Sequence, residues 1–272
     1  MIQVDIKERK IKNKVILKDI NFKVSKGEII GLVGENGAGK SSTMKAITGL
    51  TKNFKGSITY NNKPVEQNLA VSSFIEYPKF IDNLTGKENI DYFSTLANRK
   101  ISSNLKDLMS AWGLDKHLNN KAKNYSLGTK QKLGLIITLL FNRPFYVIDE
   151  PTNGMDDDSR RHLFDYLKFL KSQNIGILIS SHNLNDVNEI CDRIIKISNG
   201  TIEDSNYNFK KLITMNIPNS DKKVISKYFN IVSSDNDMVT VEYDNDFIKN
   251  LSLINSEYKE IDLISINNYY NN

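Results

Sequence analysis

Residues 34–42 read Gly-Glu-Asn-Gly-Ala-Gly-Lys-Ser-Ser, and no other stretch restricts the fold of this chain so tightly. The run satisfies G-x-x-x-x-G-K-[ST] without a gap. Glycines at 34, 37 and 39 let the backbone turn sharply and point successive N–H groups, those of Glu35, Asn36 and Ala38 among them, into one concavity suited to a polyphosphate. Lys40 is then placed to reach the β and γ phosphates, Ser41 to set its hydroxyl on Mg²⁺, and Ser42 to open a helix whose positive end faces the same anion. The flanks agree. Residues 28–33 are a short apolar run expected of a buried strand, and 43–50 continue as a helix with Met44, Ile47 and Leu50 on one side.

A phosphate loop also needs an acid for its metal. Phe-Tyr-Val-Ile-Asp-Glu at 145–150 supplies two, after an apolar run expected of a strand buried on both faces of a parallel sheet. Asp149 is expected to hold Mg²⁺, directly or through water, and Glu150 to polarise the attacking water as general base. Ser126 and Gly128, in Tyr-Ser-Leu-Gly-Thr-Lys-Gln at the start of a helix, offer a hydroxyl, N–H groups and a helix dipole to a second face of the γ-phosphate. By itself Ser-x-Gly before a helix is only a cap. His182 follows the apolar run 175–179 and Ser180-Ser181, and should lie on the same sheet edge as Asp149, where ligands of such sheets sit.

Composition narrows the class. Apolar residues make up 39% and charged residues 25%, as in ordinary globular proteins, so one large domain with or without a small appendix fits the 272 residues. The net charge of +5 comes from lysines interspersed with acids rather than from a basic block, which argues against a dedicated nucleic-acid binder. The single cysteine, Cys191, excludes a disulfide framework and a Cys-rich zinc site, so a reduced, intracellular setting is expected. The N-terminus carries no secretory apolar core, and no apolar span reaches about 18 residues. Any membrane crossing therefore falls to another chain.

Along the chain, alternating segments at 2–6 and 15–24 around a lysine-rich turn at 10–14 predict antiparallel strands, and 56–60 another. Residues 84–118 turn helical, with Thr85 capping ahead of Glu88 and with Leu105, Leu108, Met109 and Trp112 read as plain core. A further helix at 127–142 must stop near Pro144. Asp156, Asp157 and Asp158 cap the next one, a short helix spans 184–191, and a hairpin turns at Asn199-Gly200. Beyond about Tyr207 short strands at 212–215, 238–241 and 261–264 alternate with helix-like pieces at 221–229 and 246–252. The domains expected are 1–208, with a helical insert at about 80–135, and a small α/β extension at 209–272.

Gly34–Ser42, then YSLGTKQK, then FYVIDEPTNGMD, then ISSH, in that order, resemble the nucleotide-binding subunit of ATP-binding cassette (ABC) transporters over about residues 1–205. The resemblance implies an α/β fold: a P-loop NTPase core sheet with an N-terminal antiparallel β subdomain, a helical insert and the C-terminal appendix. It implies Mg²⁺-ATP as substrate, bound between Gly34–Ser42 of one subunit and Ser126 and Gly128 of a second, in a homodimer or heterodimer. Residues 153–156 match the family's loop across that interface, and His182 its switch histidine on the γ-phosphate. Three departures stand out. Glu76 replaces the usual glutamine that touches Mg²⁺ and senses the membrane partner. Ile11 replaces the aromatic ring on adenine, leaving apolar contact. The signature reads SLGTK.

Glu76 together with YSLG-x-KQ, and the segment from Glu76 to Gly86, is similar to the ATPases of bacterial exporters of bacitracin and lantibiotics. That implies a cytoplasmic ATPase on the inner membrane face, driving a separate transmembrane permease that expels antimicrobial or amphipathic peptides, with no nucleic-acid partner. The alternatives are a nucleotide-responsive regulatory subunit with little turnover, and a soluble ABC ATPase outside transport. The second is disfavoured by a single cassette with no coiled coil.

Overall fold

The computed structural model describes residues 1–64, 70–76, 80–204, 210–216, 222–235, 238–243, 247, 250–251 and 262–269. Tyr77, Pro78 and Lys79 of the exporter-like segment, most of the helix-like piece expected at 246–252 and the boundary expected at 208/209 lie outside them. The chain divides into two compact units, Met1–Tyr207 and Asn208–Asn272.

In the first unit β1 (Ile2–Ile11) and β2 (Lys14–Val24) form a hairpin, and β3 (Ile29–Val33) runs into the glycine loop and α1 (Lys40–Ile47). β4 (Lys55–Tyr60), β5 (Lys63–Pro64) and β6 (Val71–Phe74) precede the insert helices α2 (Gly86–Ala97), α3 (Ser103–Ala111) and α4 (Leu127–Leu140). β7 (Phe145–Asp149), α5 (Asp157–Ser172), β8 (Gly176–Ser180), α6 (Leu184–Ile190), β9 (Arg193–Ser198) and β10 (Thr201–Asp204) then alternate. One sheet has the order β2-β1-β4-β5, all antiparallel. The other is six-stranded, β10-β9-β3-β8-β7-β6, parallel except for the β9–β10 hairpin at its edge.

The parallel sheet is apolar on both faces because both are covered. On β7, Phe145 and Val147 join one core cluster with Met44 and Ile47 of α1 and with Ile6 and Leu17 of the antiparallel sheet. Tyr146 and Ile148 face the other cluster, with Leu135 of α4, Leu163 and Leu167 of α5, and Met109 and Trp112 of the insert. Trp112 and Met109 are buried core, as their spacing predicts. The Trp112 indole also donates to Ser159 O at 2.9 Å, which ties the insert to α5.

Several local boundaries differ from expectation. The lysine-rich turn is only Lys12-Asn13, with Lys12 at φ 54°, because β1 continues through a bulge at Arg9/Lys10 that keeps it paired with β2. The helix after the glycine loop starts at Lys40 rather than Ser42 and ends at Ile47. Gly49 takes φ 72° and terminates it, so Leu50 is exposed instead of lying on the apolar side. The Asn199-Gly200 hairpin is as expected, both residues having positive φ.

The second unit has β11 (Lys210–Asn216), α7 (Lys222–Tyr228), β12 (Ile231–Asp235), β13 (Met238–Tyr243) and β14 (Asp262–Tyr269). Its sheet, β12-β13-β11-β14, is antiparallel throughout and carries its own core of Ile213, Met215, Val239, Val241, Ile225, Phe229 and Phe247. β12, whose residues are mostly exposed, has no apolar alternation and went unpredicted.

Candidate active site

Sheet order brings together what the chain separates. The strands β3, β8, β7 and β6 are consecutive neighbours and parallel, so the segments that follow them leave one edge side by side. At that edge lie the glycine loop after β3, Ser181-His182 after β8, Asp149 ending β7 with Glu150 after it, and Glu76 after β6.

The loop is wedged against the β9–β10 hairpin: Gly200 N donates to Ala38 O at 2.8 Å. A Cβ on Gly34 would stand 2.2 Å from Ile197 O, so the close approach admits only glycine there. Glu35, Asn36 and Gly37 are exposed, whereas Ala38, Gly39 and Lys40 are buried. The Lys40 ammonium donates to Gly34 O at 2.6 Å and to Glu35 O at 3.1 Å, so it lies across the mouth of the loop.

α1 begins without a side-chain cap, on Gly39 at φ 115°. The other helices of this unit, α2 to α6, are capped by Thr85, Ser102, Ser126, Asp156 and Asn183. At α1 the first intrahelical bond is Thr43 N to Gly39 O, so the N–H groups of Lys40, Ser41 and Ser42 precede the ladder. Three donors at the positive end of a helix, beside a buried lysine, form an anion site.

The Asp149 carboxylate is 6% exposed and accepts from Ser41 Oγ at 2.7 Å through one oxygen and from Ser180 Oγ through the other. Among the described residues no cation pairs with it. A buried carboxylate satisfied only by hydroxyls is short of positive charge. With Ser41 it offers the few hard oxygens that suit Mg²⁺ bound together with phosphates, and no cluster of three or more His, Cys, Asp or Glu competes for the metal among the described residues.

Glu150 is pinned through its backbone, at φ 48°. Its N–H donates to Ser180 Oγ at 3.0 Å and Ser180 O at 3.2 Å, and its carbonyl accepts from Gln131 Nε2 at 3.2 Å. Its Oε2 meets His182 Nδ1 at 2.7 Å and accepts from His182 N at 3.2 Å. Ser180 and Gln131 are thus part of the site that motif reading missed. Neither carried a signal in the sequence: Ser180 meets Asp149 through the pairing of β8 with β7, and Gln131 meets Glu150 through the packing of α4. Glu76 pairs with Lys45 of α1.

Ser126 caps α4, accepting from Thr129 N at 3.2 Å, and is exposed. Gly128 abuts Gly154 of its own chain, a Cβ there falling 2.9 Å from Gly154 O. Ser126 and Gly128 make no hydrogen bond to Gly34–Ser42 within the chain. Ile11 ends β1 at the hairpin turn, is 47% exposed and belongs to none of the core clusters.

Comparison with known proteins identifies the family. A family model described as ABC transporter matches residues 17–153. An uncharacterized ABC transporter ATP-binding protein of Bacillus subtilis, YdbJ, is 34% identical over 75% of this chain and 68% of its own. The lantibiotic transport ATP-binding protein SrtF of Streptococcus pyogenes is 33% identical over 74% of this chain and 89% of its own. A solved structure of an ATP-binding subunit of an ABC transporter superposes with a TM-score of 0.67 at 27% identity, covering 75% of this chain and 88% of that one.

Proposed function

Because this chain belongs to the ABC transporter family as an ATP-binding, ATP-hydrolysing subunit, we propose that it powers a separate membrane permease exporting antimicrobial or amphipathic peptides. The observation that carries the catalytic half is the pairing of an uncapped α1 with a buried Asp149 that has no cation partner among the described residues. Gly34–Ser42 and Lys40 hold the phosphates of ATP, while Ser41 and Asp149 would hold Mg²⁺. That ion would draw charge from the phosphoryl oxygens. Glu150 takes a proton from water as the water oxygen attacks the γ-phosphorus and ADP leaves. His182, on the same carboxylate, orients Glu150 and donates to the γ-phosphate.

Export of peptides is supported by the similarity to the lantibiotic transport protein and by Glu76. Among the described residues no helix is long and apolar enough to cross a membrane, which fits attachment to the inner face through a permease. ATP would be closed in by Ser126 and Gly128 of a second subunit. Phosphate release tests this directly. Glu150→Gln should lower turnover at least about a hundredfold while leaving ATP affinity within a few-fold; hydrolysis at the unsubstituted rate would remove Glu150 as base. Reconstituted with its permease, the unsubstituted chain should release phosphate faster when a lantibiotic-type peptide is added.

A further inference from the structure

Glu76 follows β6 with Phe74 and Ile75 buried, and its backbone is held at φ 63°, a region that a glutamate rarely occupies. This turn of the chain brings the carboxylate to α1, where the Lys45 ammonium donates to it. Lys45 lies one helical turn beyond Ser41, on the same face. Ser41 donates to Asp149 at the end of β7, and β7 is the neighbour of β6 in the sheet. α1 therefore sends two side chains from one face to two acids on adjacent strand ends, a hydroxyl to Asp149 and an ammonium to Glu76. The pair is partly solvated, Lys45 being 30% and Glu76 54% exposed. Exposed pairs of this kind shift an equilibrium only about twofold to fivefold, weak enough to be exchanged for another cation.

We infer that Lys45 is a positioning residue for the nucleotide site: it balances the charge that Glu76 brings beside the phosphates and competes with the metal ion for that carboxylate. The inference rests on the reading of Gly34–Ser42 as the ATP site. Its physical content is a coupling. Lys45 offsets repulsion between Glu76 and phosphate before metal binds, and it lowers the gain that metal brings.

Equilibrium binding of a fluorescent N-methylanthraniloyl-ATP, measured in EDTA and again in Mg²⁺, reads both quantities without turnover. Lys45→Met should weaken metal-free binding about twofold to fivefold and enlarge the Mg²⁺-dependent gain by a similar factor. Lys45→Arg should behave like the unsubstituted chain. In a Glu76→Gln background, Lys45→Met should leave the Mg²⁺-dependent gain unchanged. If Lys45→Met alters that gain equally in both backgrounds, or in neither, Lys45 acts without Glu76 and the inference falls. Lys45→Gln serves the same cycle if the methionine variant does not fold. Failure of the unsubstituted chain to bind the nucleotide at all would overturn the ATP-site reading and this inference together, whereas binding without coupling overturns this inference alone.

Discussion

Ser180 holds both acids of the site. It is fully buried, its hydroxyl donates to Asp149, and the same oxygen accepts from Glu150 N at 3.0 Å. Replacement by alanine leaves a buried carboxylate oxygen one donor short, while Glu150 N keeps the Ser180 carbonyl at 3.2 Å. We predict that Ser180→Ala costs about 1–3 kcal/mol in urea unfolding, because an unsatisfied buried acceptor loses its full desolvation penalty. The same variant should weaken Mg²⁺-dependent nucleotide binding. A loss under about 0.5 kcal/mol would mean that Ser41 alone suffices to hold Asp149. Another buried carboxylate, Asp186, accepts from Thr152 Oγ1 at 2.7 Å and from Arg160 Nη1 at 2.8 Å. That contact links α6, which follows His182, to the loop after Glu150.

At the scale of elements, the caps set α1 apart from the other helices of the first unit. Thr85 and Glu88 form a reciprocal capping box on α2, and the two bonds from Thr85 hold the Glu88 carboxyl below its usual range. On α5, Asp156 accepts from Ser159 N and from Ser159 Oγ, each at 2.8 Å, and these bonds lower its pKa to about 2. A folded pKa below the unfolded value of 3.8 means that the ionised cap stabilises the fold fully above that value. The contribution is lost as pH falls through the folded pKa. Asp156→Asn keeps an acceptor but does not ionise, so its unfolding free energy should fall less than that of the unsubstituted chain between about pH 4 and pH 2. Equal slopes in the two proteins would contradict the cap's ionic character. Asp156→Ala should cost about 0.5–2 kcal/mol at neutral pH. No comparable side chain guards α1, which leaves the N–H groups of its first turn open to an anion.

For the whole molecule, the decisive feature is that a complete phosphate loop and a complete acid pair share one sheet edge, while Ser126 and Gly128 begin a different helix. If ATP is closed in by a second subunit, Glu150→Gln with ATP should run in light scattering at twice the mass of one chain. Adding Ser126→Arg should return it to one, by setting bulk and charge where the phosphate would lie. A single-chain mass for the Glu150→Gln protein at saturating ATP would remove Ser126 and Gly128 from the site.

What the sequence alone determined is whatever depends on near neighbours. The loop at 34–42, the buried runs of β3, β7 and β8, the caps Thr85 and Asp156 and the turn at Asn199-Gly200 all follow from spacing and backbone preference within a few residues. Asp149 and Glu150 were legible because two acids closing an apolar run are conspicuous. Only the tertiary structure decided that β8 lies between β3 and β7, and with it that Ser180 reaches Asp149 across 31 residues and Ser41 across 108. The same holds for Gln131 at Glu150 and for Lys45 at Glu76. A hydroxyl, an amide or a lysine carries no mark of a distant partner, since its hydrogen bond is chosen by strand order and crossover path rather than by residues beside it. The glycine loop declared a phosphate from its own letters; which hydroxyl, amide and lysine meet the acids at that sheet edge was decided by how the sheet is wound.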